Sequence, residues 1–127
     1  MPTTAAATMT TKEIAKKVKK LCEQGNFEDA QKELFAKDAV SIEPMASEAF
    51  AKEVHGLDAI LKKGKKWEEM VSKTHSLEVS EPIVAGNTFA LTMKMDVTMK
   101  DGKRSDMTEL CVYNVKDGKI ISEQFFM

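Results

Sequence analysis

The chain has 127 residues, of which 43% are hydrophobic and 31% charged, and its 19 basic and 20 acidic residues leave a formal charge of −1. This composition is typical of one globular domain and argues against a disordered chain. The near-neutral balance makes nucleic acid and anionic membrane surfaces unexpected partners. No apolar run approaches the roughly 20 residues of a membrane span. The small, polar start does not have the pattern of a secretory signal, so we expect a cytoplasmic protein with two buried thiols, Cys22 and Cys111.

Three helices are predicted in the first half of the chain. Residues 10–13 have the pattern of a capping box, and apolar residues then recur at helical spacing as far as Gly25. Asn26 predicts the start of a second helix, so the first two helices form a hairpin. A third helix is expected from near Gly56. Residues 1–10, ahead of the main domain, are expected to be a flexible tail.

Strand patterns dominate the rest of the chain. Residues 39–43 alternate with period two, and Pro44 ends that strand. Further strands are predicted over residues 75–80, 89–99, 105–116 and 120–127, and two Asp-Gly pairs mark hairpin turns between the last three. Helices grouped ahead of hairpin-linked strands predict an α+β architecture rather than alternating β-α-β units.

Several short segments follow one another in a characteristic order. They are the break at Gly25-Asn26, the passage from Leu34 to Val40 followed by Glu43-Pro44, the segment from His55 to Ile60, and the turn from Asp117 to Ile120. In this order they resemble the nuclear transport factor 2-like superfamily, and within it the SnoaL-like, ketosteroid-isomerase-like branch. The similarity covers residues 11–127, interpreted as one SnoaL-like domain. The resemblance implies a cystatin-like cone, with three amino-terminal helices packed on a curved antiparallel sheet, and a homodimer formed through the outer sheet face.

Glu43 is the first candidate for acid–base chemistry. In ketosteroid isomerases an acidic residue just before a proline, at the end of this strand, is the general base, and Glu43-Pro44 is similar to that pattern. A carboxylate suits proton abstraction when burial raises its pKa toward the working pH. The alternation along the strand supports a different interpretation, in which Ser41 and Glu43 face solvent and their aliphatic neighbours face the core. The apolar pattern favours this second interpretation.

Glu109 is the second candidate. The resemblance implies an acid near this position that donates a hydrogen bond to a developing oxyanion. The competing interpretation is a surface carboxylate paired with Lys94 or Arg104 across a hairpin. The isomerases also use a tyrosine on the first helix, where this chain has Val18, which cannot donate a hydrogen bond. Steroid isomerisation is therefore not expected.

Two histidines complete the set of candidates. Some SnoaL-like enzymes use a histidine and an acid to move protons, and His55, beside Gly56, is expected at the pocket rim. His75 shares an alternating face with Leu77, and a structural role is the alternative for either histidine. The histidines and cysteines lack the spacing of a zinc site, so we expect no metal. Without a P-loop or dinucleotide fingerprint we also expect no cofactor.

A pocket inside such a cone is expected to be mostly apolar. The predicted lining residues are Val18, Phe35, Trp67, Met93, Met95, Tyr113 and Phe125. Adaptable thioethers and few polar groups suit a small apolar ligand. The lysine run of the third helix is predicted to be a solvated face that takes no part in the pocket; it consists of Lys62, Lys63, Lys65 and Lys66.

Three functions are open at this point. The first is a small-molecule pocket protein that binds an apolar ligand. The second is an isomerase, cyclase or dehydratase in which Glu43 and Glu109, with His55, are the acid–base residues. The third is a non-catalytic, dimeric interaction domain with a vestigial pocket. Fold analogy supplies a pocket but no reaction, so the sequence does not decide among these functions.

Overall fold

The computed structural model describes residues 8–127, and most of the predicted tail, residues 1–10, lies outside that range. Two helices come first, α1 (Thr11–Glu23) and α2 (Phe27–Leu34), and α3 (Leu57–Met70) follows two strands. The strands are β1 (Phe35–Ile42), β2 (Glu53–His55), β3 (Val71–Val79), β4 (Ile83–Ala85), β5 (Thr88–Met99), β6 (Arg104–Lys116) and β7 (Lys119–Phe126).

The first helix begins at the predicted capping box. The hydroxyl oxygen of Thr10 accepts a hydrogen bond from the backbone amide of Glu13 at 3.1 Å, and the Glu13 carboxylate accepts one from the backbone amide of Thr10 at 2.9 Å. After the end of α1, Gly25 adopts a φ of 78°, a left-handed conformation that glycine tolerates best. The chain then turns directly into α2, and the two helices pack as the predicted hairpin.

The strands form one seven-stranded sheet in the order β2-β1-β7-β6-β5-β3, with β4 paired to β5. Neighbours are antiparallel except for β1 and β7, which run parallel and place Ser41 beside Glu123. The predicted α+β architecture is confirmed, but the sheet is mixed rather than wholly antiparallel. The parallel pair arises because most of the chain separates β1 from β7, so that no hairpin connects them.

Several boundaries differ from those expected. Strand β1 begins at Phe35, directly after α2, and Val71 opens β3 instead of extending α3. Strands β2 and β4 have three residues each, too few for a recognisable alternation, and they form by pairing with longer strands. His75 lies where β3 shifts register, so its exposed side chain contacts Thr98 Oγ1 at 2.7 Å instead of sharing a face with Leu77.

The core lies between the helices and one face of the sheet. Its fully buried side chains include Ile14, Val18, Leu34, Ile60, Phe89, Leu91 and Ile120. Both cysteines are buried and free, as predicted for Cys22 and Cys111. Among the residues that the structure describes, none of the helices has the length and apolar character needed to cross a membrane.

Candidate functional site

The helices and the inner sheet face enclose a cavity of about 500 Å³. Its wall combines aromatic and thioether side chains with several charged ones, contributed by all three helices and by the central strands. The structure places all seven residues predicted to line a pocket on this wall: Val18, Phe35, Trp67, Met93, Met95, Tyr113 and Phe125. A cavity of this size and character suits a small, largely apolar molecule.

Three glutamates reach the cavity from three strands: Glu43 from the end of β1, Glu109 from β6 and Glu123 from β7. Strand geometry explains their convergence. Tyr113 pairs with Glu123 across β6 and β7, so the two side chains share a face, and Glu109 is an even number of residues from Tyr113 on the same strand. The sheet register therefore gathers acidic side chains at one place in an otherwise apolar wall.

The polar side chains at the end of β1 point away from solvent. Ser41 is fully buried, and the side chain of Glu43 is only 23% exposed. The interpretation that placed both in solvent is therefore wrong. The alternation was misleading because both faces of β1 are at least partly covered: Val40 and Ile42, on the other face, are only half-buried.

Lys63 of α3 connects these polar groups. Its Nζ lies 2.5 Å from Glu43 Oε2 and donates a hydrogen bond to Ser41 Oγ at 2.7 Å. Ser41 Oγ in turn donates to Glu123 Oε2 at 2.7 Å. The same ammonium lies 5.2 Å from the ring centroid of Phe125, within cation–π range. One lysine thus bridges the carboxyl groups of two strands.

The predicted solvated lysine face is wrong at Lys63, whose side chain is 15% exposed, while Lys62, Lys65 and Lys66 are exposed. Helical spacing gives the reason. Lys63 stands three residues after Ile60 and four before Trp67, both of which line the cavity, so it belongs to their face of α3. Its charge made it look like a surface residue, although its position in the helix is an inward one.

Burial, together with the charges of Glu43 and Glu123, raises the pKa of Glu109 to about 7, although the charge of Lys63 opposes this shift. The alternative of a surface ion pair for Glu109 is wrong. Arg104 pairs with Asp96 at 2.9 Å, and Lys94 lies opposite Thr108 on the other face of the sheet. A carboxyl with a pKa near neutrality can either donate or accept a proton at physiological pH.

Burial also raises the pKa of Glu123 to about 7, although the hydrogen bond from Ser41 and the charge of Lys63 both lower it. Beside it, burial raises the pKa of Tyr113 well above its ordinary value, and the neighbouring acidic groups add to that shift. The Tyr113 ring stacks on Phe89 with centroids 4.7 Å apart. Its phenol therefore stays protonated and rigidly held.

The structure does not bring His55 together with the glutamates. Its side chain is 68% exposed on β2, its Nε2 lies 3.2 Å from Glu53 Oε1, and it is not part of the cavity wall. Among residues 8–127, no three or more histidine, cysteine, aspartate or glutamate side chains are grouped so that they could hold a metal ion. The polar chemistry of the cavity therefore rests on its glutamates, Lys63 and Ser41.

Comparison with known proteins places this architecture. The family model described as a SnoaL-like domain matches residues 9–127. The chain belongs to the SnoaL-like family. A solved SnoaL-like relative is a Mesorhizobium loti protein named as a polyketide cyclase, with carbohydrate phosphatase added in brackets. It is 38% identical, with a TM-score of 0.87 over 94% of this chain and 100% of that chain. No curated protein matches the chain.

Two more distant structures share the fold of this SnoaL-like domain. A Xanthomonas campestris protein with a cystatin-like fold is 18% identical, with a TM-score of 0.78 over 93% of this chain and 90% of that one. TerC, co-crystallised with polyporic acid, is 13% identical, with a TM-score of 0.74 over 93% of this chain and 92% of that one. At these identities the likeness concerns the fold alone.

Sequence reasoning missed three polar residues of the site: Lys63 and Glu123 on the wall of the SnoaL-like cavity, and Ser41, which hydrogen-bonds to both. For Lys63 the signal was available, since it falls on the same helical face as Ile60 and Trp67. For Ser41 and Glu123 no such signal existed. Glu123 stands between Ser122 and Gln124 on β7, so alternation does not distinguish its two faces.

Proposed function

We propose that this chain binds a small, neutral, largely apolar molecule that carries a carbonyl group. Glu43 and Glu109 of the chain then catalyse a proton transfer on the bound molecule. The observation that carries the proposal is that one cavity contains carboxyl groups in different protonation states. Glu43 is a carboxylate beside the ammonium of Lys63, and Glu109 has a pKa of about 7. At neutral pH the cavity therefore supplies a carboxylate, Glu43, and two carboxyl groups, Glu109 and Glu123, that are each protonated about half of the time.

The roles of Glu43 and Glu109 follow from their protonation states. Glu43 accepts a proton from the carbon beside the ligand's carbonyl, and protonated Glu109 donates a hydrogen bond to the oxygen on which negative charge develops. The resulting enol or enolate can be protonated at another carbon, lose a hydroxide, or attack a second carbonyl. These outcomes correspond to isomerisation, dehydration and cyclisation, respectively, so a single proton-transfer site is compatible with all three reaction classes.

The charge of the cavity favours a neutral ligand. Besides the three buried glutamates, the wall includes Glu28, Asp29 and Glu68, against the lysines Lys63 and Lys65. Lys63 is already paired with Glu43, so little positive charge is available to a ligand. An anionic molecule, and a phosphate ester in particular, would meet net repulsion where it needs cationic donors. The cavity therefore suits carbonyl chemistry better than phosphate hydrolysis.

The name of one relative also favours carbonyl chemistry in a small-molecule pocket. The Mesorhizobium loti protein is named as a polyketide cyclase, and polyketides are chains rich in carbonyl groups. This name supports a small-molecule pocket in this chain, and it favours proton transfer beside a carbonyl over a purely structural role.

Hydrogen–deuterium exchange in a probe ketone tests the proposal without knowledge of the natural substrate. The probe is β-tetralone, a neutral aromatic ketone whose hydrogens beside the carbonyl are acidic. In deuterium oxide, proton NMR should show exchange accelerated by the protein and lost in Glu43→Gln and Glu109→Gln. The matched control is Glu78→Gln, an exposed glutamate on β3 that should leave the rate unchanged. Binding of the ketone without acceleration would instead favour a non-catalytic pocket protein.

We also propose that a second copy of the chain covers the outer sheet face. Leu110 and Phe126 pair across β6 and β7 on the face away from the cavity, and they are 40% and 45% exposed. Val112, on the same face, is half-buried. Adjacent exposed apolar side chains on a sheet favour a covered interface. A homodimer through this face would leave the cavity open on the opposite side.

A further inference from the structure

Lys63 occupies an unusual place for a lysine. Its side chain is 15% exposed, and its ammonium is held by Glu43 Oε2, Ser41 Oγ and the face of Phe125. Removing an ammonium from water is costly unless it is paired and hydrogen-bonded, and these contacts provide both. A lysine that only fastened a helix to a sheet could be replaced by an apolar residue. Its position among carboxyl groups instead gives it control over their protonation.

The groups around the cavity come from every element packed on it. Facing Lys63 of α3 are Glu43 at the end of β1, Glu109 of β6 and Glu123 of β7. The wall also includes Glu28 and Asp29 of α2 and Lys65 and Glu68 of α3. The other titratable side chains close to these carboxyls keep their protons, because burial raises the pKa values of Tyr113, of Cys111, and of Cys22 on α1. Three carboxyl groups thus face one interior ammonium. One cation can offset one carboxylate, and the ion pair shows that Glu43 is the one offset.

The hydrogen bonds of this cluster have a direction. Lys63 donates to Ser41, and Ser41 spends its single proton on Glu123. Glu123 is therefore engaged by the same chain of contacts that holds Glu43. Glu109 makes no hydrogen bond or ion pair with Lys63 or Ser41. Of the three carboxyl groups that face Lys63, it is the one left available to a ligand as a proton donor.

We propose that Lys63 is the positioning residue of the cavity. It keeps Glu43 as the carboxylate and, through Ser41, holds Glu123 in a hydrogen bond. Glu109 is then the carboxyl group that carries the exchangeable proton to a ligand. This inference rests on the proposed function and explains how its two glutamates acquire different roles. It predicts that loss of the Lys63 charge raises the pKa values of Glu109 and Glu123 rather than merely loosening the fold.

Carbon-detected NMR titration of the glutamate carboxyl groups tests this assignment. In the unmodified protein, Glu109 and Glu123 should titrate around pH 7. In Lys63→Met, which keeps an apolar stem against Phe125, we expect the midpoints of Glu109 and Glu123 to rise, because each loses the positive charge that lowers its pKa. Lys63→Arg keeps the charge and should leave both midpoints near those of the unmodified protein. Lys62→Met removes an exposed charge from the same helix and should change nothing.

Ser41→Ala separates the two arms of the cluster. It removes the donor to Glu123 but leaves the ion pair, so the midpoint of Glu123 should rise. The midpoint of Glu109 should not rise, because a less charged Glu123 raises its pKa less. The assignment is overturned if Lys63→Met titrates like the unmodified protein. It is also overturned if Ser41→Ala leaves the midpoint of Glu123 unchanged. Should Lys63→Met fail to fold, Lys63→Arg and Ser41→Ala decide the question, since raised midpoints of Glu109 and Glu123 in Lys63→Arg would contradict the proposal.

The titrations need no ligand, so they can succeed even if the probe ketone shows no exchange. In that case the proposed reaction fails and the role of Lys63 stands. If exchange is observed, its pH profile adds a second readout. Lys63→Met should change the shape of that profile, and Lys63→Arg should recover it; a uniform loss of rate with an unchanged profile would indicate a structural lysine.

Discussion

Lys63 Nζ lies 2.5 Å from Glu43 Oε2, joining α3 to the end of β1 inside the cavity rather than on the protein surface. The side chains are 15% and 23% exposed, so neither charge is fully solvated. An ion pair in such a place is sensitive to the loss of one partner, because the remaining charge must then be accommodated without compensation. The pair therefore has consequences for stability as well as for the chemistry of the cavity.

Glu43→Gln should destabilise the protein. The amide keeps the shape of the side chain but leaves the Lys63 ammonium without its counter-ion, and we expect a loss of about 1–3 kcal/mol in the free energy of unfolding. Urea unfolding measures this quantity. The exposed control Glu78→Gln should change it by less than about 0.5 kcal/mol. Equal effects of the two substitutions would show that the ion pair contributes nothing beyond a surface contact.

Stability should fall as the pH rises from mildly acidic to neutral. The pKa values of Glu109 and Glu123 are raised from 4.5 to about 7 by folding, so the folded protein binds more protons than the unfolded chain between these values. The stabilisation is complete below about pH 4.5 and is lost as the pH rises through about 7. Each group contributes at most about 3 kcal/mol.

The variant Glu123→Gln isolates this effect. It retains an acceptor for the Ser41 hydroxyl but cannot titrate, so its free energy of unfolding should depend less steeply on pH in the same range. Urea unfolding at a series of pH values measures both slopes. Parallel slopes for the variant and the unmodified protein would mean that Glu123 is not protonated by folding.

The two thiols should be unreactive in the folded protein. Burial raises the pKa of Cys22 to about 12, and it also raises that of Cys111, with nearby glutamate charges adding to both. The thiolate is the reactive form, so a disulfide reagent at mildly alkaline pH should modify neither residue until the protein unfolds. Counting thiols with and without denaturant checks this. Rapid modification of Cys22 without denaturant would indicate that the cavity opens to reagents more readily than its packing suggests.

The proposed dimer can be broken from the outer sheet face. Leu110→Glu places a charge in the centre of the exposed apolar patch and should convert a homodimer into a 14.1 kDa monomer in sedimentation experiments at micromolar concentration. Met45→Glu is the control, because Met45 is 72% exposed but lies outside the sheet. A monomeric unmodified protein would contradict the proposal directly.

Much of the fold could be predicted from the sequence because it depends on local signals. The capping box at Thr10 and the long alternation of residues 89–99 predict elements that the structure contains. The parallel pairing of β1 with β7 could not be predicted from the sequence. It joins segments about 80 residues apart, and no turn or spacing in the sequence specifies that contact.

Less of the site could be predicted from the sequence, and Glu123 shows why. Counting back from the turn after Lys116 pairs Val115 with Ile120 and, without interruption, would place Glu123 beside Val112 on the outer face. A register shift between Asn114 and Val115 moves Glu123 beside Tyr113, on the cavity face. A one-residue slip reverses the face of every later side chain, and a bulge of this kind is set by tertiary packing rather than by the local sequence.

The central claim is that Glu109 lies in the cavity as a carboxyl group able to exchange a proton at neutral pH. Carbon-detected NMR titration of Glu109 in the unmodified protein tests it most directly, with Glu109→Gln identifying the resonance. The expected midpoint is about 7, because burial and the charges of Glu43 and Glu123 raise the pKa of this carboxyl. A midpoint near the ordinary value of 4.5 would show that Glu109 is a solvated carboxylate and would contradict the account.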